Sequence, residues 1–171
     1  KHADLTAAAH GHFFGHVAEH CDHDHAAFRH SGKLGIAVEV GHGAVVRAFD
    51  LHDGAIAQSI AHDSHHIIAT GSSDEFIVKA VNELIKLQGG IVVIDKNEIT
   101  SLALPIAGLM ANDTIDHVAA EQRKLVAHTK RLQCPLSSPL VALSFMQLIV
   151  IPELKITDQG LFDGKAFQYL S

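Results

Sequence analysis

The stretch from Ser73 to Gln88 constrains the fold more than any other part of this 171-residue chain. Ile77, Val81, Leu84 and Ile85 recur at helical spacing and form one apolar stripe, leaving Lys79, Glu83 and Lys86 to face water. Ser72 followed by Glu75 has the spacing of a capping box, in which the serine oxygen accepts an orphan helix amide and the glutamate reaches back to the cap. Gly89-Gly90 stops the helix, because glycine tolerates the positive-φ geometry that other residues resist. Apolar runs press on both ends: Ile67, Ile68 and Ala69 before it, and Ile91 to Ile94 after it. Strand, helix and strand joined this closely predict a compact crossover unit, most naturally right-handed and parallel.

Around that unit the pattern alternates between strand and turn. Leu34, Ile36, Val38 and Val40 recur at a period of two, Gly41-His42-Gly43 reads as a turn, and Ala44 to Phe49 as the returning strand. Asp53-Gly54 is a further turn signal before the short apolar segment Ala55 to Ala61. After the crossover, Asp95-Lys96-Asn97 forms a tight turn into an antiparallel strand from Glu98 to Leu104, interrupted by Pro105. Asn112 or Asp113 caps a second helix, Thr114 to about Leu132, with Ile115, Val118, Gln122, Leu125, Val126, Thr129 and Leu132 along its buried side. Cys134-Pro135 breaks that helix. Leu140 to Ile151 is almost wholly apolar and reads as a central strand or an extended segment pressed into a core or interface, ended by Pro152. Short strands at Glu153 to Thr157 and Ala166 to Leu170 flank a turn at Asp158-Gln159-Gly160. The fold class expected is α/β, on the α+β border: a single domain, residues 31–171, with a mixed β-sheet packed against two main helices.

Thirteen basic against nineteen acidic residues leave a net charge of −6, which excludes a surface built to neutralise nucleic-acid phosphates. No apolar run is long enough to span a bilayer, and the first residues lack the pattern of a secretory signal, so neither a membrane nor secretion is expected. Two cysteines, Cys21 and Cys134, far apart in a chain with a sizeable core, fit a reducing cytoplasm.

Histidine is the departure from ordinary composition: there are fifteen, and His2, His10, His12, His16, His20, His23, His25 and His30 crowd residues 1–30. This segment stands apart from the body. His20, Cys21, His23 and His25 supply nitrogen and sulfur donors within six positions, a composition with metal affinity but without the paired spacing of a structural zinc site.

In the body, the chemically suggestive group is His62-Asp63-Ser64-His65-His66. A histidine beside an aspartate can hold a fixed tautomer, accept a proton or ligate a metal. If the segment is extended, His62, Ser64 and His66 share one side; if it turns, His62 and His65 face one ligand and become candidate metal donors. Structural histidines bonded to backbone carbonyls are the alternative. Gly71-Ser72-Ser73-Asp74 sits where a helix N-terminus attracts anions, but the aspartate occupies that positive end itself, so capping is the better reading. Gly108 either admits another backbone or closes a packed turn, and Cys134 reads as a small buried hydrophobe.

Several segments in a fixed order carry a resemblance. They are Gly54 to His66, Gly71 with Asp74-Glu75, Gly89 to Val93, Leu104 to Leu109, Ser138 to Phe145, and Ile151 to Phe162. Together, from about residue 28 to 170, the chain resembles the C-terminal domain of bacterial-type adenine deaminases, members of the amidohydrolase superfamily. The family implies a hydrolase of purine metabolism that converts adenine and water to hypoxanthine and ammonia, attacking the C–N bond of a cyclic amidine. It also implies a divalent metal, manganese or iron, held by a β/α barrel whose ligand motifs have no counterpart here. This chain would then pack on that barrel domain or subunit, be inactive alone, present His62 to His66 near the substrate opening, and belong to an oligomer. The family's usual His-Asp-Ser-His-Asn ends here in His66, which replaces an amide with a titratable ring. The competing class is a noncatalytic small-molecule or metal-binding domain.

Overall fold

The computed structural model describes residues 35–39, 42–46, 49–63, 65–151, 154–157 and 160–170. The head, including His20, Cys21, His23 and His25, lies outside them, as do Ser64, Gly41, Pro152 and the boundary at residues 30–31. The chain runs β1 (Gly35–Glu39), β2 (His42–Val46), β3 (Gly54–Gln58), β4 (Ile68–Gly71), α1 (Asp74–Lys86), β5 (Gly90–Asp95), β6 (Ile99–Ala103), α2 (Ile115–Arg131), α3 (Pro139–Ser144), β7 (Leu154–Thr157), β8 (Gly160–Asp163) and β9 (Gln168–Tyr169).

The expected α/β architecture is present: a six-stranded sheet in the order β2-β1-β4-β3-β5-β6 with helices on both faces. The crossover from β4 through α1 to β5 does join strands of the same direction, but they are not neighbours. β3 lies between them and pairs antiparallel with both, Ile56 opposite Thr70 on one edge and Val93 on the other. The reason is visible in β3 itself, which is buried at every position, carries no charge and can offer both edges to the ladder.

Period-two alternation divides the core. Ala55, Ala57, Ala69, Val92 and Ile94 turn to one face and meet Ile77, Ala80, Val81 and Leu84 of α1. Ile56, Ile68, Ile91 and Val93 turn to the other and meet Leu125 of α2, Leu132 at its C-cap, and Leu140 and Leu143 of α3. The α1 face is lined with alanines because the helix packs hard on it. At Gly71 even a methyl group would come within 2.8 Å of both the Ala55 Cβ and Ile77 Cγ1.

Helix α1 is capped one residue later than the capping-box spacing predicts. Ser73 is the N-cap, its side chain accepting from the Phe76 amide, and Glu75 is exposed. Ser72 instead closes on β3: its hydroxyl accepts from the Gly54 amide at 3.0 Å and donates to the Gly54 carbonyl at 3.2 Å. Helix α2 is capped by Thr114, accepting from the His117 amide, in place of Asn112 or Asp113. Its burial is confined to the C-terminal half, where Leu125, His128, Thr129 and Leu132 are covered. Ile115 is 84% exposed and Gln122 is exposed, contrary to the expected stripe, because only that half lies over β5 and β6. The helix stops at Arg131, with Gln133 in the left-handed region, before Cys134-Pro135 is reached.

The apolar run at 140–151 is not a strand. Pro139 opens the short helix α3 at a position where its missing N–H costs nothing, and a series of turns carries the chain on to Ile151. Leu140, Leu143, Ser144 and Gln147 are buried at the three- and four-residue spacing of a helix face. The C-terminal segment forms a separate meander, β7-β8-β9, with β8 an additional strand and β9 shorter than the expected Ala166 to Leu170. Phe162 anchors it, edge-on to Phe167 and Tyr169 at 5.2 and 5.1 Å. No helix among the described residues is long and apolar enough to cross a membrane.

Candidate functional site

At the end of β3 the chain leaves the sheet with Gln58 and Ser59 still buried, and polar side chains there must be satisfied inside. Gln58 Nε2 donates to the carbonyls of Ile60 and Leu140 at 2.9 and 3.0 Å, pinning the outgoing strand to α3. Ser59 Oγ accepts from the Gly90 amide at 2.8 Å and donates to the Gly108 carbonyl. The backbones of Gly89 and Gly108 touch beside it: a methyl at Gly89 would lie 2.5 Å from Gly108 Cα, so this corner is closed to any larger residue. Gly108 therefore meets another backbone while also closing the turn in which Ile106 bridges Met110.

Past this corner the histidine loop turns; it does not extend. His65 N–H donates to the Ala61 carbonyl at 2.6 Å, and His65 takes a positive φ of 54°. The turn brings the rings of His62 and His65 edge to face at a centroid separation of 5.4 Å, and places His62 against Phe145 at 4.6 Å. Asp63 is exposed, while His62, His65 and His66 are half-buried. Three further bonds hold the loop: His62 N–H to the Ser144 carbonyl, Gln147 Nε2 to the Ala61 carbonyl, and the Ala61 amide to His65 Nδ1 at 3.3 Å.

That last bond assigns the chemistry of His65. With Nδ1 accepting, the neutral ring carries its proton on Nε2 and offers a donor. Burial lowers the His65 pKa, the positive charge available to His62 lowers it further, and the Asp63 carboxylate opposes them. A ring kept neutral next to an exposed carboxylate gives the loop one donor and one acceptor. As a metal centre it falls short: among the described residues no three His, Cys, Asp or Glu side chains come together to hold an ion. His62 and His65 make at most a pair, and the donors of the head lie outside the described residues.

Sequence reasoning missed the groups that hold the loop, Gln58, Phe145 and Gln147, and a second histidine site altogether. His128 on α2 is wholly buried, its Nδ1 2.8 Å from Thr100 Oγ1 and its Nε2 3.1 Å from Asp95 Oδ2. The signal existed: Gln58 and Gln147 are long polar side chains inside apolar runs, and His128 stands three residues after Leu125 on the stripe. Partial burial works to raise the Asp95 pKa, but amide hydrogen bonds from Asn97 and Glu98 and the contact with His128 outweigh it and hold the carboxyl below the ordinary range. Cys134 is a half-buried free thiol whose pKa burial raises, so it is not primed as a nucleophile.

Comparison with known proteins gives this geometry its family. The model of the adenine deaminase C-terminal domain matches residues 15–168, beginning within the histidine-rich head. An adenine deaminase of Archaeoglobus fulgidus is 49% identical over 125 residues, 73% of this chain and 22% of that protein. One from Sulfurovum is 49% identical over 128 residues, and one from Leuconostoc citreum 44% over 133, covering 74% and 77% of this chain and 24% of each relative. The chain thus spans less than a quarter of the length of these relatives. With nine-tenths of its length matched and these identities, the chain belongs to the adenine deaminase C-terminal domain family.

Proposed function

We propose that this chain serves as the C-terminal domain of a cytoplasmic, oligomeric adenine deaminase, seated on an amidohydrolase barrel that hydrolyses adenine to hypoxanthine and ammonia. The observation that carries this reading is the family match over residues 15–168, joined to relatives named adenine deaminase that are about three times as long. Manganese or iron in the barrel would activate the attacking water. The described residues of this chain do not gather three ligands, so no step of the chemistry is assigned to a metal held here.

The part taken by these residues is recognition at the opening. Adenine presents a ring nitrogen acceptor beside its exocyclic amino donor. The His65 Nε2 proton and the Asp63 carboxylate would form the complementary pair, carried on a turn that the Ala61–His65 bond closes and the bond from His62 N–H to the Ser144 carbonyl ties to α3. The domain would cover the site and exclude water, while the barrel carries out bond breaking.

The test is adenine turnover by the purified chain, by a separately produced barrel domain, and by the two mixed. None is expected from this chain alone, and turnover is expected from the mixture, weakened in His65→Ala. Turnover by the chain alone overturns the division of labour. Metal content that survives mild chelation of the chain, and falls in His62→Ala and His65→Ala, would favour a metal-binding domain instead.

A further inference from the structure

Residues 141–151 expose four apolar side chains that no other described residue buries. Val141 is 57% exposed and Phe145, one helical turn on, 37%; Val150 and Ile151 follow at 68% and 38%. The inner side, Leu140, Leu143 and Gln147, is buried. No charged residue occurs between Arg131 and Glu153, so nothing in this run favours open solvent. Single exposed apolar residues are ordinary, but four within eleven uncharged positions mark an interaction surface.

The same segment grips the histidine loop. The Ser144 carbonyl accepts from His62 N–H at 2.8 Å, Gln147 Nε2 donates to the Ala61 carbonyl, and the Phe145 ring lies 4.6 Å from His62. Whatever presses on the outer side of α3 is therefore felt at His62 and His65. What lies there is indicated by length: the matched segment covers 22–24% of its relatives, so more than three-quarters of such a polypeptide lies outside it and is available to cover this face. A face that a neighbouring domain keeps covered has no need of charge for solubility, which fits the uncharged run from 132 to 152.

We propose that the outer face of residues 141–151 is the surface on which the amidohydrolase barrel seats, and that seating fixes the His62 to His65 loop at the barrel's open end. The proposal rests on the adenine deaminase reading above and adds to it the face used and the route by which docking reaches the loop.

Hydrogen exchange compares the 171-residue chain with the intact polypeptide that carries this domain. Amides of 141–151 should exchange at least tenfold more slowly in the intact polypeptide. Val141→Glu with Val150→Glu should abolish that protection, speed exchange at the His65 amide and lower adenine turnover at least tenfold. Ile115→Glu, at a site 84% exposed on α2, should change none of these. The milder Val150→Ser separates docking from folding: urea midpoints of the variant chains should match the parent.

Equal exchange in the two forms, or parental turnover in the double variant, would overturn the assignment. So would protection already complete in the 171-residue chain, with sedimentation as a dimer, since a second copy would then cover the face. An intact polypeptide that does not deaminate adenine sinks the functional reading and this inference together; one that does so with 141–151 open to exchange sinks only the inference.

Discussion

His128 of α2 and Asp95 at the end of β5 meet inside the protein, with Nε2 3.1 Å from Oδ2 and no part of the histidine reaching solvent. The same aspartate closes the turn to β6 by accepting from the Asn97 and Glu98 amides, both at 2.7 Å. One side chain therefore ties the hairpin, and its histidine partner ties the helix to the hairpin. At the rim, Arg131 pairs with Glu98.

Removing His128 should be costly because Thr100 and Asp95 both lose a partner in a covered position. His128→Ala is expected to destabilise by about 2–4 kcal/mol, from the cavity and the unsatisfied groups together. His128→Asn, which restores part of the hydrogen bonding, should lose less. Asp95 adds a pH dependence. Its folded pKa lies below the unfolded value, so its contribution is complete above that value and is lost as pH falls through the folded pKa. Asp95→Asn should flatten part of the acid limb of stability; denaturant midpoints measured from pH 6 downward check it.

Ser59 offers a sharper case, since one hydroxyl serves two backbones. Ser59→Ala should strand the Gly90 amide and the Gly108 carbonyl at a closed corner and cost about 1–3 kcal/mol. Gly89→Ala should cost at least as much, because the added methyl meets Gly108 Cα. Urea melts of both, with the exposed Ala103→Ser as a control, decide it.

The legibility of this fold follows the periodicity of its residues. Helix α1 and strands β4 to β6 could be read because Ile77, Val81 and Leu84, and then Ile91 to Ile94, repeat at a single spacing with glycine between. Strand order could not, because nothing local tells β3 that it will lie between β4 and β5. The run 140–151 misled because uniform apolarity hides the helical spacing of Leu140, Leu143 and Gln147. At the site, the cluster from His62 to His66 stood out by composition, but its turn depends on Ser144 and Gln147, more than eighty residues away in sequence. His128 was lost among many histidines, although its place beside Leu125 marked it as interior.

The caps separate two readings of one motif. Ser73→Ala should destabilise by about 1 kcal/mol, since Ser73 accepts from the Phe76 amide, while Glu75→Ala should stay within about 0.5 kcal/mol. Ser72→Ala should also destabilise, but through the Gly54 tether, and so accelerate exchange in β3 before the first turn of α1. A glutamate variant as damaging as Ser73→Ala would restore the capping box.

Lys155 on β7 is 8% exposed, and burial lowers its pKa. The unfolded chain therefore holds that proton more tightly, and stability rises with pH through the window between the folded pKa and the ordinary lysine value. Lys155→Met keeps the stem and removes the charge. It should stabilise the protein at neutral pH by about 1 kcal/mol, and weaken this alkaline rise. Thermal melts at pH 7 and pH 10 test both halves.

His65 carries the loop's electrostatics. Its pKa is lowered by burial first and by His62 second, against the pull of Asp63, so its ring should titrate below 6.5. Because the depressed value belongs to the folded state, the unfolded chain binds the proton more readily; stability is complete above pH 6.5 and falls as the pH drops through the folded pKa. His62→Ala should move the His65 titration part of the way back toward 6.5, since burial remains, whereas Asp63→Asn should lower it further by removing the opposing charge. Imidazole proton resonances followed between pH 4.5 and 8 in the parent and both variants measure the order directly. A His65 that titrates at or above the ordinary value in the parent would show that its ring is not kept neutral, and would remove the donor assigned to its Nε2.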